Sequence, residues 1–388
     1  MHILRYMCKH VSGCCNRGLE GRMRELVKGT IAVGKGAIDA GCRFYFGYPI
    51  TPQNEIPEYL SRELPKVGGV FIQAESEIAS INMLMGAAAT GARAMTSSSG
   101  PGISLKQEGI SYMAGSEIPG VIVNISRCGP GLGGISPSQG DYFQATKGGG
   151  HGDYKVIVLA PASVSEMYYL TIKAFDLADK YRNPALLLAD AALGQMKESV
   201  ELIPPEIKKY EKDWILTGAK GRKQRVLKTL HLGELELEKR IWRIYEKYER
   251  MKKEDVMVEE FMIEDAEVVA VAFGFSARVV KSACVSLREM GYKVGMIRPI
   301  TLFPFPEESI KKASERCKKF LVVEMNTGQM VEDVVMFNKN GKDVYFYGRA
   351  PGFGSIPYPE EIEVVLKYLC GEKLHFEPIH SLSFRKVT

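Results

Sequence analysis

Short apolar runs alternate with helix-like segments along most of the chain, and this alternation constrains the fold more than any other feature. The predicted strands between about 24 and 195 are Phe44–Tyr48, Val70–Ile72, Ala92–Thr96, Gly120–Ser126, Lys155–Ala160 and Ala185–Ala189. Helical patterns lie between them, at 31–41, 53–61, 77–90, 103–115 and 162–181. Strands that are apolar on both faces and alternate with helices predict a parallel sheet covered by helices on both sides.

A second unit of the same kind follows a charged stretch. Residues 196–262 interrupt the alternation, and a run at 234–254 has apolar residues at helical spacing among many charges, which predicts a linker with an amphipathic helix. The strands predicted after it are Glu267–Phe273, Lys293–Ile297, Lys319–Glu324 and Asp343–Tyr347, with helices at 276–290, 306–316, 328–336 and 359–369. Neither unit is long enough for a TIM barrel. We therefore predict an α/β protein with two open parallel-sheet domains, at 23–195 and 263–372, and a tail at 373–388.

Composition excludes several classes of protein. The 388 residues are 45% hydrophobic and 25% charged, as in ordinary globular proteins. A formal net charge of +5 is too small to indicate a nucleic-acid partner, and no apolar run is long enough for a membrane span. The eight cysteines form no Cys-x-x-Cys pair, so we expect no metal or iron–sulfur site in the chain and a reduced, cytoplasmic protein.

The first residues do not share this pattern. Residues 1–22 are basic and cysteine-rich, and they lack the apolar centre of a signal peptide. We expect this extension to be either a disordered tail or an untranslated stretch, with Met23 as the true start.

Two candidate site residues follow the first strands. Thr51 lies between Pro49 and Pro52 on a stiff turn from strand to helix, and ligands of parallel α/β sheets bind at such strand ends. Glu75 and Glu77 then open a helix that is otherwise apolar. An acidic residue suits any helix N-terminus, but a desolvated Glu77 can also keep a proton and exchange it with a bound heterocycle.

The next two strand ends carry small residues and an arginine. Ser99, Gly100 and Gly102 precede a helix, and such a turn either is purely structural or leaves backbone N–H groups free for an anion or cofactor. Arg127 leaves a buried strand, where its guanidinium can grip a carboxylate, although many such arginines only face solvent. The alternative that His151 acts on a substrate is weaker, because a loop histidine is more often structural or solvated.

Two further motifs do not indicate catalysis. Gly129, Gly131 and Gly134 spell the dinucleotide-binding pattern, but no helix follows it directly, so we reject that interpretation. The proline-rich exit at Arg298–Pro306 and the segment Glu324–Gln329 are predicted to shape an interdomain or subunit surface.

The motifs taken together resemble a known family. In order they are Gly47–Pro52, Gln73–Glu77, Thr96–Gly102, Arg127 with its glycine loop, Arg298–Thr301 and Glu324–Asn326. This set, from about Met23 to Cys370, resembles the alpha-type subunit of 2-oxoacid:ferredoxin oxidoreductases. Segments 129–134, 138–153 and 216–223 are similar to the members that act on 3-methyl-2-oxobutanoate.

The resemblance implies a reaction and a role for each candidate residue. The reaction converts a 2-oxoacid, CoA and oxidised ferredoxin into acyl-CoA, CO₂ and reduced ferredoxin, with thiamine diphosphate as cofactor. It implies that the first domain has the pyrimidine-type thiamine-diphosphate fold and that the second is transketolase C-terminal-like. Glu77 would be the catalytic residue that meets N1′ of the aminopyrimidine, and Thr51 and Arg127 would bind substrate. Ser99, Gly100 and Gly102 would line the cofactor site.

The resemblance also implies partners. The Gly-Asp-Gly motif that holds diphosphate and Mg²⁺ is missing, since Gly140-Asp141 and Gly152-Asp153 lack the second glycine. That half of the site is therefore expected on a beta subunit, and [4Fe–4S] clusters on gamma and delta (ferredoxin-like) subunits, in a dimer of hetero-oligomers that reduces ferredoxin. One departure from the family is Gly29–Ala32, where members usually have Gly-Asn-Glu-Ala.

Three alternatives remain open on the sequence. The same reaction could run on 2-oxoglutarate, pyruvate or aryl pyruvates. The chain could be a non-catalytic assembly subunit, although Thr51, Glu77 and Arg127 are all retained. A Rossmann dehydrogenase would instead turn over with NAD(P) and without thiamine diphosphate.

Overall fold

The structure is a computed structural model that describes residues 24–350, 352, 354–373, 378 and 380–388. The predicted extension at 1–22 lies outside these residues. The strands are β1 (Glu25–Lys28), β2 (Phe44–Gly47), β3 (Val70–Gln73), β4 (Ala94–Ser98), β5 (Gly120–Ser126), β6 (Ile157–Leu159), β7 (Pro184–Asp190), β8 (Lys197–Val200), β9 (Val258–Phe261), β10 (Val268–Val271), β11 (Val294–Pro299), β12 (Thr301–Phe303), β13 (Lys319–Glu324), β14 (Asp343–Gly348) and β15 (Phe384–Lys386).

Helices occupy most of the segments between these strands. They are α1 (Gly29–Asp39), α2 (Glu55–Glu63), α3 (Glu77–Ala89), α4 (Pro101–Ser116), α5 (Tyr142–Thr146), α6 (Val164–Tyr181), α7 (Ala191–Gln195), α8 (Glu236–Glu254), α9 (Gly274–Glu289), α10 (Glu307–Arg316), α11 (Met330–Phe337) and α12 (Pro359–Leu369). None of the helices in the described ranges is long and apolar enough to cross a membrane.

The first sheet contains seven strands among the described residues, in the order β12-β6-β7-β5-β4-β2-β3. All neighbours are parallel except β12, which runs antiparallel to β6. Every residue of β4, β5 and β7 is buried, as expected for central strands with helices on both sides. Residues 301–303 fall in the range expected for the second domain, yet as β12 they complete the edge of this first sheet.

The second sheet has the order β15-β14-β13-β10-β11-β9 in the part of the chain that the structure describes. Its central strands are parallel, and the edge strands β9 and β15 are antiparallel to their neighbours. A separate antiparallel pair joins β1 to β8. The parallel centres match the predicted fold class. The edge strands were not predicted, because they are short and only partly buried and so lack an apolar run.

A polar loop of the first unit docks onto strand ends of the second. The side chain of Gln139 donates from Nε2 to the carbonyl oxygen of Phe273 at 2.8 Å, and its Oε1 accepts from the backbone N–H of Met325 at 3.0 Å. Asn326 Nδ2 in turn donates to the carbonyl oxygen of Gln139 at 2.9 Å. The predicted interdomain role of the Glu324–Gln329 segment therefore has a concrete form, a set of hydrogen bonds to this loop.

A buried ion cluster makes a second connection between the units. Arg298, at the end of β11, is 5% exposed and forms a bidentate pair with Glu166 of α6, both N–O distances being 2.8 Å. Its Nε also donates to Glu259 of β9 at 2.6 Å. Burial opposes the charge, yet the two carboxylates outweigh it and hold the pKa of Arg298 above its usual value. The arginine of the proline-rich exit thus acts as an interdomain clamp.

Replacing Arg298 tests how much this clamp contributes to the free energy of unfolding. We expect Arg298→Met to lower the free energy of unfolding by about 3 kcal/mol, because it leaves the largely buried carboxylate of Glu166 without its ion-pair partner. Chemical denaturation of the chain measures the loss. Lys318→Met is the matched control, since it removes a cation from an exposed pair with Glu267 and should leave the midpoint unchanged. Equal midpoints for the two variants would contradict the assigned role.

Candidate active site

The predicted site residues follow four neighbouring strands of the first sheet. Strands β5, β4, β2 and β3 are adjacent and parallel, so their carboxyl ends meet at one edge. Thr51 follows β2, Glu77 follows β3, the turn at 99–102 follows β4, and Arg127 follows β5. The edge is the place where open α/β sheets bind ligands.

Buried hydrogen bonds brace the turn that carries Thr51. Gln53 is fully buried, and its Nε2 donates to the carbonyl oxygen of Tyr48 at 3.4 Å. Its Oε1 accepts from the hydroxyl of Ser97 at 2.5 Å, and that hydroxyl lies 2.6 Å from the Tyr45 hydroxyl. The strand-to-helix turn is thereby fixed to β4, while the side chain of Thr51 stays exposed.

Glu77 is the first residue of α3 and is only 6% exposed. The helix starts there because Ser76 caps it, with its hydroxyl accepting from the N–H of Ala79 at 3.2 Å. The Glu77 side chain packs against Gly102. A Cβ atom added to Gly102 would lie 2.6 Å from Glu77 Oε1 and even closer to Ser98 Oγ. Only glycine therefore leaves the space that the carboxylate occupies.

The turn at 99–102 uses its polar groups internally. The hydroxyl of Ser99 donates to the carbonyl oxygen of Ile125 at 2.7 Å, and the N–H of Gly102 donates to the carbonyl oxygen of Ser99 at 3.0 Å. Gly100 has a φ of 45°, a conformation that favours glycine. The N–H group of Gly102, expected to be free for a ligand, is bonded, so this glycine provides space and not a donor.

Arg127 lies on the other side of the same turn. Its Nη1 donates to the carbonyl oxygen of Thr51 at 2.9 Å and its Nη2 to that of Leu132 at 3.0 Å, while Gly100 lies beneath its side-chain carbons. Among the described residues no carboxylate forms an ion pair with this guanidinium, and its Nε is buried without a partner. A buried cation with donors to spare is suited to an anionic ligand.

Three residues near the site were missed by the sequence analysis. Asp141 accepts from Asn124 at 2.9 Å and from Ser126 at 3.0 Å, beneath the end of β5. Burial raises the pKa of Asp141, against the effect of these bonds and of the charge on Arg127.

The other two are Ser98 and Lys106. Within the described ranges, Ser98 Oγ is buried without a hydrogen-bond partner and lies against Gly102. Lys106 is fully buried in α4, and its ammonium donates to the hydroxyl of Ser80. The interruption of an apolar helix pattern by Lys106 was the signal that could have found it. No sequence signal distinguishes Ser98, because serines lie on both sides of it.

The structure does not bring every candidate into the site. Glu75 and His151 are exposed, and Glu75 precedes the Ser76 cap, so it does not open the helix as predicted. Over the residues that the structure describes, no group of three or more His, Cys, Asp or Glu side chains could hold a metal ion.

Comparison with known proteins decides the family. Residues 35–262 match "Pyruvate flavodoxin/ferredoxin oxidoreductase, thiamine diP-bdg", and residues 266–362 match "Pyruvate:ferredoxin oxidoreductase core domain II". The chain belongs to this family of 2-oxoacid:ferredoxin oxidoreductases. The predicted family, enzyme class and fold class are therefore confirmed, and the first unit is a thiamine-diphosphate-binding domain of this family.

Individual members of the family are similar over most of their length. The ketoisovalerate oxidoreductase subunit VorB of Methanothermobacter marburgensis is 52% identical over 84% of this chain and 93% of its own. The 2-oxoglutarate synthase subunit KorA of Archaeoglobus fulgidus is 45% identical over 80% of this chain and 90% of its own.

Two solved structures resemble the fold. One is 2-oxoglutarate:ferredoxin oxidoreductase from Magnetococcus marinus with 2-oxoglutarate, coenzyme A and succinyl-CoA bound. It has a TM-score of 0.83 and 27% identity, and covers 94% of this chain and 69% of its own. The other is a split-gene transketolase, an inactive beta4 tetramer, with a TM-score of 0.56 at 12% identity over 88% of this chain and 97% of its own. At that identity the second likeness shows the fold alone, and it agrees with the predicted transketolase-like architecture.

The contact between Glu77 and Gly102 can be tested by adding a methyl group. We expect Gly102→Ala in the assembled enzyme to lower activity on the order of 100-fold, because its Cβ displaces the carboxylate from its position. Turnover and thermal unfolding are measured together. Gly86→Ala in α3 is the control for the chain's stability, since nothing lies within 4 Å of its added Cβ. A Gly102→Ala enzyme with wild-type turnover would contradict the assigned packing.

Proposed function

We propose that the chain is the catalytic subunit of a 2-oxoacid:ferredoxin oxidoreductase that acts on 3-methyl-2-oxobutanoate and related branched-chain 2-oxoacids. The reaction decarboxylates the 2-oxoacid, transfers its acyl group to CoA and passes the electrons to ferredoxin. The observation that carries the proposal is the position of Glu77 and Arg127 on opposite sides of the Gly100–Gly102 turn. A carboxylate and a guanidinium that forms no ion pair within the described residues thus flank the same turn at the sheet edge.

The residues at this edge fit thiamine diphosphate. When bound, the cofactor supplies the stabilisation of the carbanion that decarboxylation requires. Glu77 would hold N1′ of the aminopyrimidine, because its carboxylate is buried at the start of α3 and occupies the space that Gly102 leaves. The unpartnered hydroxyl of Ser98 is a further polar group beside Gly102, in the part of the chain that is described. Ser99 and Gly100 would shape the turn beneath the ring.

Arg127 and Thr51 would hold the substrate. The guanidinium would bind its carboxylate, and the exposed hydroxyl of Thr51, tied to Arg127 through its own carbonyl oxygen, would bind the 2-oxo or carboxylate oxygens. Leu132 and Ile135 are exposed in the loop that follows Arg127. Their apolar side chains favour a branched alkyl group over the second carboxylate of 2-oxoglutarate.

The active site would be completed by a beta subunit that carries the diphosphate and Mg²⁺ site. Large apolar side chains are exposed on the turn after β2, on the edge strand β3, on α3 and on α4: Tyr48, Ile72, Ile78, Met83 and Leu105. An apolar surface that adjoins a half-built site favours a permanent protein partner. This face would therefore bind the beta subunit.

The remaining partners follow from the reaction. The [4Fe–4S] clusters would reside on gamma and delta subunits, which would pass electrons to ferredoxin, in a dimer of hetero-oligomers. CoA would enter as co-substrate. The cysteines in the described ranges are free thiols, and most are buried. That state supports a reducing cytoplasmic location.

A panel of 2-oxoacids tests the proposed function. In the complex assembled with its partner subunits, 3-methyl-2-oxobutanoate should give the highest kcat/KM, with the acyl-CoA products identified by mass spectrometry. A higher kcat/KM for 2-oxoglutarate would contradict the branched-chain preference and favour 2-oxoglutarate as the substrate, an alternative that the similarity to KorA subunits supports.

Glu77→Gln should abolish viologen reduction and leave assembly intact, whereas Glu75→Gln, at an exposed neighbour, should behave as wild type. Full activity of Glu77→Gln would contradict the proposed role of Glu77 as the catalytic carboxylate.

Substitution of Arg127 tests the carboxylate contact. We expect Arg127→Met to raise KM for the 2-oxoacid roughly 30- to 1000-fold, the cost of losing a buried charge-assisted pair. Arg127→Lys keeps the positive charge but loses the forked geometry of the guanidinium. Its KM should therefore lie between that of the wild type and that of Arg127→Met. Thermal unfolding of both variants reports any effect on the Thr51 turn. An unchanged KM in Arg127→Met would count against the substrate contact.

A further inference from the structure

Helix α4 carries a lysine whose entire side chain is buried beside the candidate active site. Lys106 lies one turn after Gly102, the residue against which Glu77 packs. Its Nζ donates to the hydroxyl of Ser80 and, at 3.4 Å, to the backbone carbonyl oxygen of Glu77. Both acceptors are neutral and both belong to the first turn of α3. The ammonium thus joins α4 to the start of the helix that bears Glu77.

The charged groups around Lys106 are few. Helix α3 contributes one ionisable side chain, Glu77, and strand β7, which also packs against α4, contributes Asp190. The Asp190 carboxylate accepts backbone N–H groups from Leu193 and Phe275 and is occupied there. On α4 itself, Glu108 is exposed and accepts from Tyr112. Glu77 is therefore the carboxylate whose charge acts on the ammonium.

The position of this cation is unfavourable by itself. Burial lowers the pKa of Lys106 to about 8, against the effect of the Glu77 charge. The ammonium also faces the first turn of α3, where the helix dipole is positive and disfavours a further positive charge. A buried charge in such a place needs a compensating anion, and Glu77 is the anion at hand.

We propose that Lys106 is the positioning residue for Glu77. Its ammonium holds the first turn of α3 against α4, so that the carboxylate stays in the space left by Gly102. The proposal rests on the proposed function of Glu77. Because the pKa of Lys106 is lowered to about 8, this support is present below that pH and is lost as the pH rises through it.

The test uses the assembled holoenzyme and two readouts. The first is the rate at which the C2 proton of bound thiamine diphosphate exchanges with D₂O in the absence of 2-oxoacid, and the second is the pH profile of kcat/KM. Lys106→Met removes the charge, and Lys106→Gln removes it but keeps a donor for Ser80. Ser80→Ala is the intermediate variant, which keeps the charge and removes one of the two acceptors that the ammonium contacts.

Both Lys106 variants should slow C2 exchange on the order of 10-fold, because the carboxylate is less well placed. The alkaline limb near pH 8 should disappear from the profile of both variants, because the group that titrates there is gone. Ser80→Ala should slow exchange less than either Lys106 variant and should keep the alkaline limb, because the ammonium and its contact with the Glu77 carbonyl remain. A purely structural lysine would lower thermal stability and leave the pH profile in place.

The outcomes separate this proposal from the one on which it rests. Wild-type exchange and an unshifted profile in Lys106→Gln overturn the role of Lys106, whether or not Lys106→Met assembles. Wild-type exchange in Glu77→Gln overturns the proposed function itself. Slow exchange in Glu77→Gln together with wild-type behaviour in Lys106→Gln leaves the function standing and removes only the positioning role.

Discussion

The candidate site depends on the close approach of α3 and α4 at the carboxyl edge of the first sheet. The two helices follow neighbouring parts of one parallel sheet, so their first turns come together above the strand ends. Gly102 allows this approach, because any side chain there would collide with Ser98 and with the carboxylate of Glu77. The rest of the site is arranged around this contact, with Arg127 on one side of the turn and Lys106 below it.

Polar groups at this edge are divided between those that hold the structure and those that remain available. Gln53, Ser97 and Ser99 have partners within the chain and fix the loops. Within the described residues, Arg127 Nε and Ser98 Oγ are buried without partners. Unsatisfied buried polar atoms are costly, so a native chain keeps them where a ligand supplies the missing bond. This contrast supports the proposal that the edge binds a ligand.

The second unit supports the site from a distance. Its strand ends receive the loop that contains Gln139, and Asp141 of the same loop lies beneath the end of the strand that precedes Arg127. The Arg298 clamp and strand β12 add further connections between the two units. The position of Arg127 is therefore tied, through one loop, to the packing of the second sheet. The motif at 324–329 serves this connection.

The sequence by itself determined the central strands, the order of the two units and the residues that follow each strand. The bounds of β5, β13 and α12 agree with their predicted ranges because long apolar runs and helical spacing depend on neighbouring residues only. Thr51 and Arg127 were predicted as site residues because each lies at the end of a predicted strand, and Glu77 because it opens an apolar helix. What only the tertiary structure decided depends on residues far apart in the chain. The edge strands β9, β12 and β15 form because an existing sheet offers them backbone partners. Likewise, the burial of Lys106 arises where α3 packs on α4, and no local pattern records that contact.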